Sequence, residues 1–224
     1  MSRVLVIGDT HAPCMLPTYP DFLLDVYTAW DCDTVVHIGD LVDYHSIAYH
    51  LRTVGAPDVM GEIDQAGKQI RELYDRFDKM IIMTGNHDAL PSRRLADAIM
   101  PETMLRPEAE YWDTPGWEWM PRYSQLVIDN VIYQHGDRGR SGVNAAMKNA
   151  QAEFCSLVQG HLHGQCSVNW YANAQLRIFG MQAGCGVDHH LMAMSYSRRF
   201  NQKPIIGCGV VIDGKHPYVE LMDL

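Results

Sequence analysis

The chain has 224 residues, of which 47% are hydrophobic and 20% are charged, and this composition is typical of a folded globular protein. Its 27 acidic residues outnumber its 18 lysines and arginines, which gives a formal net charge of −9 at pH 7. This balance argues against a broad basic surface that would bind nucleic acid nonspecifically, because such binding depends on Lys and Arg. A local basic groove, or a cation site lined by carboxylates, is compatible with it.

The start of the chain and its cysteines bear on where the protein resides. An apolar segment begins at Val4 with no signal-peptide pattern before it. No apolar segment approaches the roughly 18 residues that a membrane helix needs. The six cysteines are scattered, without a C-x-x-C pair. We therefore expect a cytoplasmic protein with reduced thiols and no membrane association.

Short apolar segments that end abruptly in glycine and polar residues recur along the chain, and each is typical of a strand. They are 4–7, 35–38, 80–83, 131–134 and 156–159. Apolar residues at helical spacing predict helices between and after the first three of these segments. These helices are expected at 20–30, at 61–77 and from Pro91 to Ile99. Alternating strands and helices favour an α/β sheet with crossover connections.

The later part of the chain is richer in strands. Asp129 and Asn130 lie between two apolar segments and are typical of a tight hairpin turn. A helix is expected at 144–154, after a glycine-rich turn. Further strands, which could be antiparallel, are expected at 165–171, 176–182, 205–213 and 218–222.

Residues 100–122 interrupt this pattern. They contain four prolines and three tryptophans with weak hydrophobic periodicity, which indicates a long ordered loop or a small insertion. Trp112, Trp117 and Trp119 could stack on bases beside a site, but aromatic residues in such a segment more often pack in the interior or at a subunit contact. Because no repeat or linker divides the sequence, we expect one domain over residues 1–224.

Polar residues follow the predicted strands at the point where each strand ends. Carboxyl ends of neighbouring strands in an open α/β sheet form the ligand site, so we expect these side chains to converge. They are Asp9, His11, Asp40, Asn86, His135, His161 and His163. Carboxylate, imidazole and amide ligands suit Mn²⁺, Fe or Zn²⁺ better than Ca²⁺ or Mg²⁺. Seven ligands suit two ions that share a carboxylate; any single histidine taken alone would more simply be a hydrogen-bonded polar group.

Five motifs in chain order carry a resemblance to a known family. They are Asp9-Thr10-His11, Gly39-Asp40-Leu41-Val42-Asp43, Gly85-Asn86-His87-Asp88, His135-Gly136 and Gly160-His161-Leu162-His163. Together they resemble the ordered motifs of the calcineurin-like metallophosphoesterases. The resemblance implies an α/β fold with a four-layer α-β-β-α sandwich of mixed sheets. It also implies a metal-dependent hydrolase of phosphate esters.

The resemblance implies a role for each matched ligand. The first metal ion would be held by Asp9, His11 and His163. The second would be held by Asn86, His135 and His161. Asp40 would bridge both ions. Two divalent ions, Mn²⁺ first and Fe, Zn²⁺ or Ni²⁺ as alternatives, would make hydroxide available near neutral pH.

His87 would not bind metal but would face the substrate, as a general acid or a phosphate contact. Asp88 is expected to orient His87 through a hydrogen bond and so to belong with it to the catalytic residues. Asp43 matches the motif, and we expect it to have a structural role or to support a ligand from behind.

Three further residues are candidate substrate contacts. Arg138 and Arg140 follow His135 in the glycine-rich turn and could bind a phosphate through their planar guanidinium groups. The alternative for both is a solvated loop. His45 follows Asp43 closely and could also reach a substrate, although an unmatched histidine is more often packed or solvent-facing.

The substrate class stays open. Protein phosphatases of this family continue the second motif with Arg-Gly, whereas Asp43 is followed here by Tyr44-His45. The last motif contains a second histidine, His163. In this feature the chain resembles the phosphodiesterases and DNA-repair nucleases of the family. We therefore expect a phosphodiester, such as a nucleotide or a nucleic-acid end. A nucleotide or protein phosphomonoesterase is the alternative; a non-catalytic scaffold fits less well, because the ligands and His87 are all present. The oligomeric state is not indicated.

Overall fold

The computed structural model of the protein describes residues 2–50, 54–191 and 201–223. Its strands are β1 (Arg3–Ile7), β2 (Thr34–His37), β3 (Met80–Met83), β4 (Trp117–Met120), β5 (Leu126–Ile128), β6 (Val131–Gln134), β7 (Ser156–Gln159), β8 (Cys166–Ala172), β9 (Arg177–Ala183), β10 (Gly207–Ile212) and β11 (His216–Leu221). Its α-helices are α1 (Tyr19–Ala29), α2 (Val59–Tyr74), α3 (Leu90–Asp97), α4 (Glu108–Tyr111) and α5 (Ala145–Glu153). Short 3-10 helices occupy His45–Ile47 and Glu102–Met104.

The strands form two mixed sheets. The first has the order β11-β10-β1-β2-β3-β4, in which β1 to β4 are parallel and β10 and β11 are antiparallel to their neighbours. The second has the order β5-β6-β7-β9-β8, with β6, β7 and β9 parallel. The edge strands β5 and β8 pair antiparallel with β6 and β9.

Alternation along β1 shows how the layers are held together. Val4 and Val6 face the second sheet and pack in one buried cluster with Phe179. Leu5 and Ile7 point to the opposite face and pack with α1 and α2. Successive side chains of a strand point to opposite faces, so an uninterrupted apolar run fits a strand buried on both sides. A third buried cluster joins α5 to the outer face of the second sheet. The α-β-β-α sandwich is therefore confirmed.

The secondary structure follows the predicted order, with shifts of a few residues at element ends. Asp129 and Asn130 join β5 to β6 with φ of 49° and 60°, the backbone that a tight hairpin turn requires. None of the helices in the described ranges combines the length and the apolar composition that would let it cross a membrane.

Residues 100–122 are more structured than the sequence indicated. They contain a 3-10 turn, α4 and β4, and β4 pairs with β3 as the edge strand of the first sheet. The loop interpretation is therefore wrong for 117–120. Trp117 is buried and its indole N–H donates a 2.7 Å hydrogen bond to the carbonyl oxygen of Phe77. Trp112 is buried in the same core cluster. Both tryptophans therefore pack in the core.

The packing around two glycines predicts opposite effects when each is replaced by alanine. A Cβ on Gly180 of β9 would overlap the backbone of Met147 in α5. A Cβ on Gly67 of α2 would meet only Trp112, at 3.9 Å. We expect Gly180→Ala to lower the free energy of unfolding by about 1–3 kcal/mol, because a packed element must move. We expect Gly67→Ala to raise it by up to about 1 kcal/mol, because alanine favours the helix. Urea unfolding of both variants measures this, and equal effects would contradict the assigned packing.

Candidate metal centre

The predicted ligands lie in the loops at the carboxyl ends of the parallel strands. Three of them, His11, Asp40 and His161, have left-handed backbone with φ of 48°, 51° and 68°. Non-glycine residues in this region are strained, and such strain concentrates at functional sites. Two glycines leave room for the carboxylates. A Cβ at Gly85 would overlap Asp40, and one at Gly160 would overlap Asp9.

The first ligand cluster consists of Asp9, His11 and His163, which are all buried. Nε2 of His163 lies 2.9 Å from Oδ2 of Asp9 and 3.1 Å from Nε2 of His11. Nδ1 of His11 lies 2.8 Å from the Asp43 carboxylate and therefore carries a proton. This leaves the lone pair of its Nε2 directed at the cluster. Imidazole nitrogens converging beside a carboxylate are a donor set that fits a transition-metal ion.

The second cluster combines Asp40, His135 and His161, and Asn86 lies beside it. Nε2 of His135 lies 3.3 Å from Oδ2 of Asp40 and 3.2 Å from Oδ1 of Asn86. Nδ1 of His135 donates a 3.0 Å hydrogen bond to the carbonyl oxygen of Ile38. This bond keeps a proton on Nδ1, so Nε2 is the nitrogen that can bind a metal ion once its own proton is displaced.

The carboxylate of Asp40 lies between the two clusters. Its Oδ2 is 3.6 Å from Nε2 of His11 in the first cluster and 3.3 Å from Nε2 of His135 in the second. Its Oδ1 accepts a 2.8 Å hydrogen bond from the backbone N–H of His87. The structure thus brings the seven predicted ligands together, with one carboxylate placed where two ions could share it.

Asp43 supports both His11 and His87. Its Oδ1 lies 2.8 Å from Nδ1 of His11 and 3.3 Å from Nδ1 of His87. Its carbonyl oxygen accepts a 2.6 Å hydrogen bond from Nδ1 of His87. Burial raises the pKa of Asp43, but the hydrogen bonds from the two imidazoles outweigh this effect and lower it well below the usual range. Asp43 therefore stays ionised and orients two site residues.

The prediction that Asp88 forms a hydrogen bond with His87 is wrong. The Asp88 carboxylate instead accepts hydrogen bonds from the backbone N–H groups of Val42, at 3.0 Å, and Gly85, at 2.9 Å. It ties the second and third motif loops together. Burial and the charge of Asp40 raise the pKa of Asp88 to about 7.

His37 and Thr10 form a supporting network that the sequence did not reveal. The backbone N–H of Gly39 donates to Nδ1 of His37 at 3.1 Å, so the imidazole proton is on Nε2. Nε2 lies 3.2 Å from the Thr10 hydroxyl, which donates to the carbonyl oxygen of Leu41 at 3.1 Å. Burial lowers the pKa of His37 to about 4, so it stays neutral. The network joins the first two motif loops, and the position of His37 three residues before Asp40 was its available signal.

The three candidate substrate contacts lie in different surroundings. His45 is fully buried, and its backbone N–H donates to the Glu62 carboxylate at 2.6 Å, so the structure does not support it as a substrate contact. Arg138 is exposed and lines a small depression together with His135. Arg140 is exposed as well, and its backbone N–H is held by the Asn149 side chain at 2.8 Å. Both arginines stay predictions.

Replacing Asp43 by asparagine tests its supporting role. We expect Asp43→Asn to weaken Mn²⁺ binding about 10–100-fold, because a residue that orients a ligand histidine carries this share of metal affinity. Titration calorimetry measures the affinity, and thermal unfolding without metal checks that the variant folds. Asp25→Asn, an exposed position on α1, is the matched control. Equal affinities for the two variants would contradict the assignment.

Metal binding should strengthen as the pH rises. Burial lowers the pKa of His135, but the charge and hydrogen bond of Asp40 raise it to about 10 without metal. The imidazole is therefore protonated near neutral pH, and a metal ion must displace that proton. We expect the Mn²⁺ affinity to rise by up to about tenfold per pH unit between about pH 6 and about pH 8, with proton release. Calorimetry in buffers of different ionisation enthalpy counts the protons. An affinity that falls with pH would contradict this.

Comparisons with known proteins find distant similarities. The Gene 54 protein of Mycobacterium phage D29 is 26% identical over 253 aligned positions, which cover 99% of this chain and 93% of that protein. The phosphoesterase YfcE from E. coli is 15% identical with a TM-score of 0.49, covering 94% of this chain and 88% of its own. Vacuolar Protein Sorting 29 from Cryptosporidium parvum is 14% identical with a TM-score of 0.44, covering 99% and 96%. Such distant likenesses carry no information about substrate.

The family is shown by a match over most of the chain. Residues 2–173 match the family described as calcineurin-like phosphoesterase, and this range contains the motifs from Asp9 to His163 that form the two clusters. The chain therefore belongs to the calcineurin-like phosphoesterases and is a metal-dependent hydrolase of phosphate esters.

Proposed function

We propose that this protein is a two-metal phosphodiesterase that acts on a small phosphodiester, such as a nucleotide or a nucleic-acid end. The observation that carries the proposal is the position of Asp40, whose single carboxylate faces both His11 and His135. Mixed imidazole, carboxylate and amide donors support Mn²⁺, with Fe, Zn²⁺ or Ni²⁺ as alternatives.

The residues divide between the two ions as the clusters do. One ion would be held by Asp9, His11 and His163. The other would be held by Asn86, His135 and His161, with Asp40 shared. Bound divalent ions lower the pKa of water and neutralise charge that develops on a phosphoryl group. The backbone N–H of His161, which donates to both carboxylate oxygens of Asp9 at 3.0 Å, holds that ligand in place.

His87 is the proposed general acid. Its Nδ1 is engaged by the carbonyl oxygen of Asp43, so Nε2 is the nitrogen that can donate a proton to a leaving oxygen. Burial lowers the pKa of His87, but the charge of Asp40 and the contacts with Asp43 raise it to about 10. Bound cations would offset part of the effect of Asp40. A group of this kind is protonated near neutral pH, as an acid catalyst must be.

A phosphomonoesterase is the second candidate, and one observation favours it. Arg138 is exposed and lines the depression that contains His135. A guanidinium group beside the second cluster could bind the additional charge of a monoester. Arg140 in the same turn is the second proposed contact. Two points favour the diester. The second histidine of the last motif, His163, is a feature in which the chain resembles phosphodiesterases, and the net charge of −9 disfavours highly charged substrates.

Two further points belong to the proposal. We place the protein in the cytoplasm, because thiols such as Cys185 and Cys208 are buried without a disulfide, as is typical of a reducing compartment. We also treat residues 1–224 as one domain. Both sheets contribute ligands to the same site, which supports this organisation.

Hydrolysis of model esters tests the proposed reaction. We expect Mn²⁺-loaded protein to cleave bis(p-nitrophenyl) phosphate faster than p-nitrophenyl phosphate, and EDTA to abolish both reactions. We expect His87→Ala to lower kcat about 10²–10⁴-fold, the usual contribution of a positioned acid. His216→Ala, an exposed histidine on β11, should leave kcat unchanged.

The pH profile gives an independent readout. Activity of the wild-type protein should fall at alkaline pH as His87 loses its proton, and this limb should be absent in His87→Ala. Preference for the monoester would select the phosphomonoesterase instead. No metal-dependent cleavage of either ester would contradict the proposed function.

A further inference from the structure

A large cavity lies outside the two metal clusters. It has a volume of about 690 Å³, and ligand pockets typically measure about 300–1,000 Å³. Its walls come from α2, from the start of α3 and from residues 102–122. The lining includes Asp88 of the third motif but none of the seven candidate ligands, so the catalytic motifs alone do not account for the cavity.

The cavity begins beside the reactive loops. Thr84, Asp88 and Ala89 form part of its wall, and they flank Asn86 and His87 along the chain. Consecutive Cα atoms are about 3.8 Å apart, so this wall starts one residue away from the proposed acid. The cavity therefore borders the loop that carries Asn86 and His87.

Other lining residues also place the cavity beside the metal centre. Tyr44 lines the cavity and follows Asp43, whose carbonyl oxygen holds the His87 imidazole. Thr84 and Pro121 line both this cavity and the small depression that contains His135. The cavity thus adjoins the site on the sides of both His87 and the second cluster.

Aromatic and aliphatic side chains dominate the lining. The rings of Tyr111 and Trp112 meet edge to face with centroids 4.8 Å apart, and Tyr44 lies 6.5 Å from Trp112. Met104 and Leu105 add aliphatic surface and are exposed to solvent. Exposed apolar side chains around a concave wall mark a binding site, and an aromatic lining favours a ring.

The charges of the lining argue against a polyanion. The lining contains two arginines, Arg106 and Arg122, and two glutamates, Glu102 and Glu108. The Arg122 guanidinium is also paired with Asp137 at 2.7 Å. A surface without excess positive charge gives little attraction for successive phosphates. The charges of the lining therefore disfavour a polyanion, and its apolar side chains favour an uncharged occupant.

We infer that this cavity is a specificity pocket that binds the uncharged, ring-bearing alcohol portion of a small phosphate ester while its phosphate lies at the metal centre. This inference rests on the proposed function and names the substrate class for the same site. Residues 102–122 thereby determine which ester is bound, and the motif residues determine what is done to it.

Binding of reaction products to Mn²⁺-loaded protein tests the pocket separately from turnover. The probes are methyl phosphate, phenyl phosphate and thymidine 5′-phosphate, which share a phosphate and differ in the attached group. We expect both ring-bearing probes to bind at least about tenfold tighter than methyl phosphate by titration calorimetry, as burial of apolar groups predicts. The tighter of the two distinguishes a simple aromatic alcohol from a nucleoside.

Two leucines of equal exposure provide the variant and its control. Leu105 lines the cavity and Leu24 lies on α1 outside it, and each is 37% exposed. Leu105→Trp should fill the pocket and reduce the ring preference to about threefold or less, with methyl phosphate binding unchanged. Leu24→Trp should keep the full preference. Met104→Trp, at a lining position that is 59% exposed, repeats the test should Leu105→Trp not fold.

The outcomes separate the pocket from the reaction. A ring preference that is absent in the wild-type protein, or that survives in Leu105→Trp and Met104→Trp, would overturn the pocket and leave the hydrolase intact. A 5′-phosphorylated oligothymidylate that binds tighter than thymidine 5′-phosphate would overturn the uncharged occupant. Ring preference without cleavage of any ester would contradict the proposed function, and the pocket could then no longer be assigned to a substrate.

Discussion

The site depends on the charge of one buried carboxylate, that of Asp40. Its Oδ1 is held by the backbone N–H of His87, and its Oδ2 faces imidazoles from both clusters. An ionised carboxylate in a buried position is costly unless positive charge or hydrogen bonds compensate it. Here protonated imidazoles compensate it in the absence of metal, and cations can replace those protons. The neighbouring backbone makes room for this carboxylate. Asp40 itself has left-handed φ, and a Cβ at Gly85 would overlap the Asp40 side chain.

The same electrostatics explain why the site histidines differ from one another. Burial lowers the pKa of His11 and His161, whereas the pKa of His135 and His87 is raised to about 10 by the charge of Asp40. The pKa of Asp9 falls to about 2, because its contact with His163 outweighs burial. Each cluster thus contains an ionised carboxylate and imidazole donors. Cation binding and folding are therefore coupled, since an ion that binds only the folded chain stabilises it.

The convergence of the candidate ligands was predictable because strand ends meet at one edge of a sheet, a property that depends on topology alone. The contact of Asp43 with His11 agrees with the supporting role expected for Asp43. The contacts of Asp43 and Asp88 around His87 were not predictable, because chain proximity to His87 does not show where a carboxylate points. Asp88 is adjacent to His87 yet bonds the backbone of Val42 and Gly85. Asp43, far away in sequence, reaches His87 through tertiary packing. Strand β4 escaped prediction because its apolar signal comes from tryptophans between prolines, and its pairing with β3 decides its conformation.

Reaction and specificity are encoded in different parts of the chain. The motif residues lie on strand ends that the two sheets hold rigidly, so the donor set leaves little freedom to select one ester over another. Residues 102–122 lie beside these strand ends, and β4 and the buried Trp112 and Trp117 anchor them to the core. Their exposed side chains, such as Met104 and Leu105, carry little of the core. This segment can therefore change its lining at low cost in stability, which makes it the part of the fold best suited to set substrate choice.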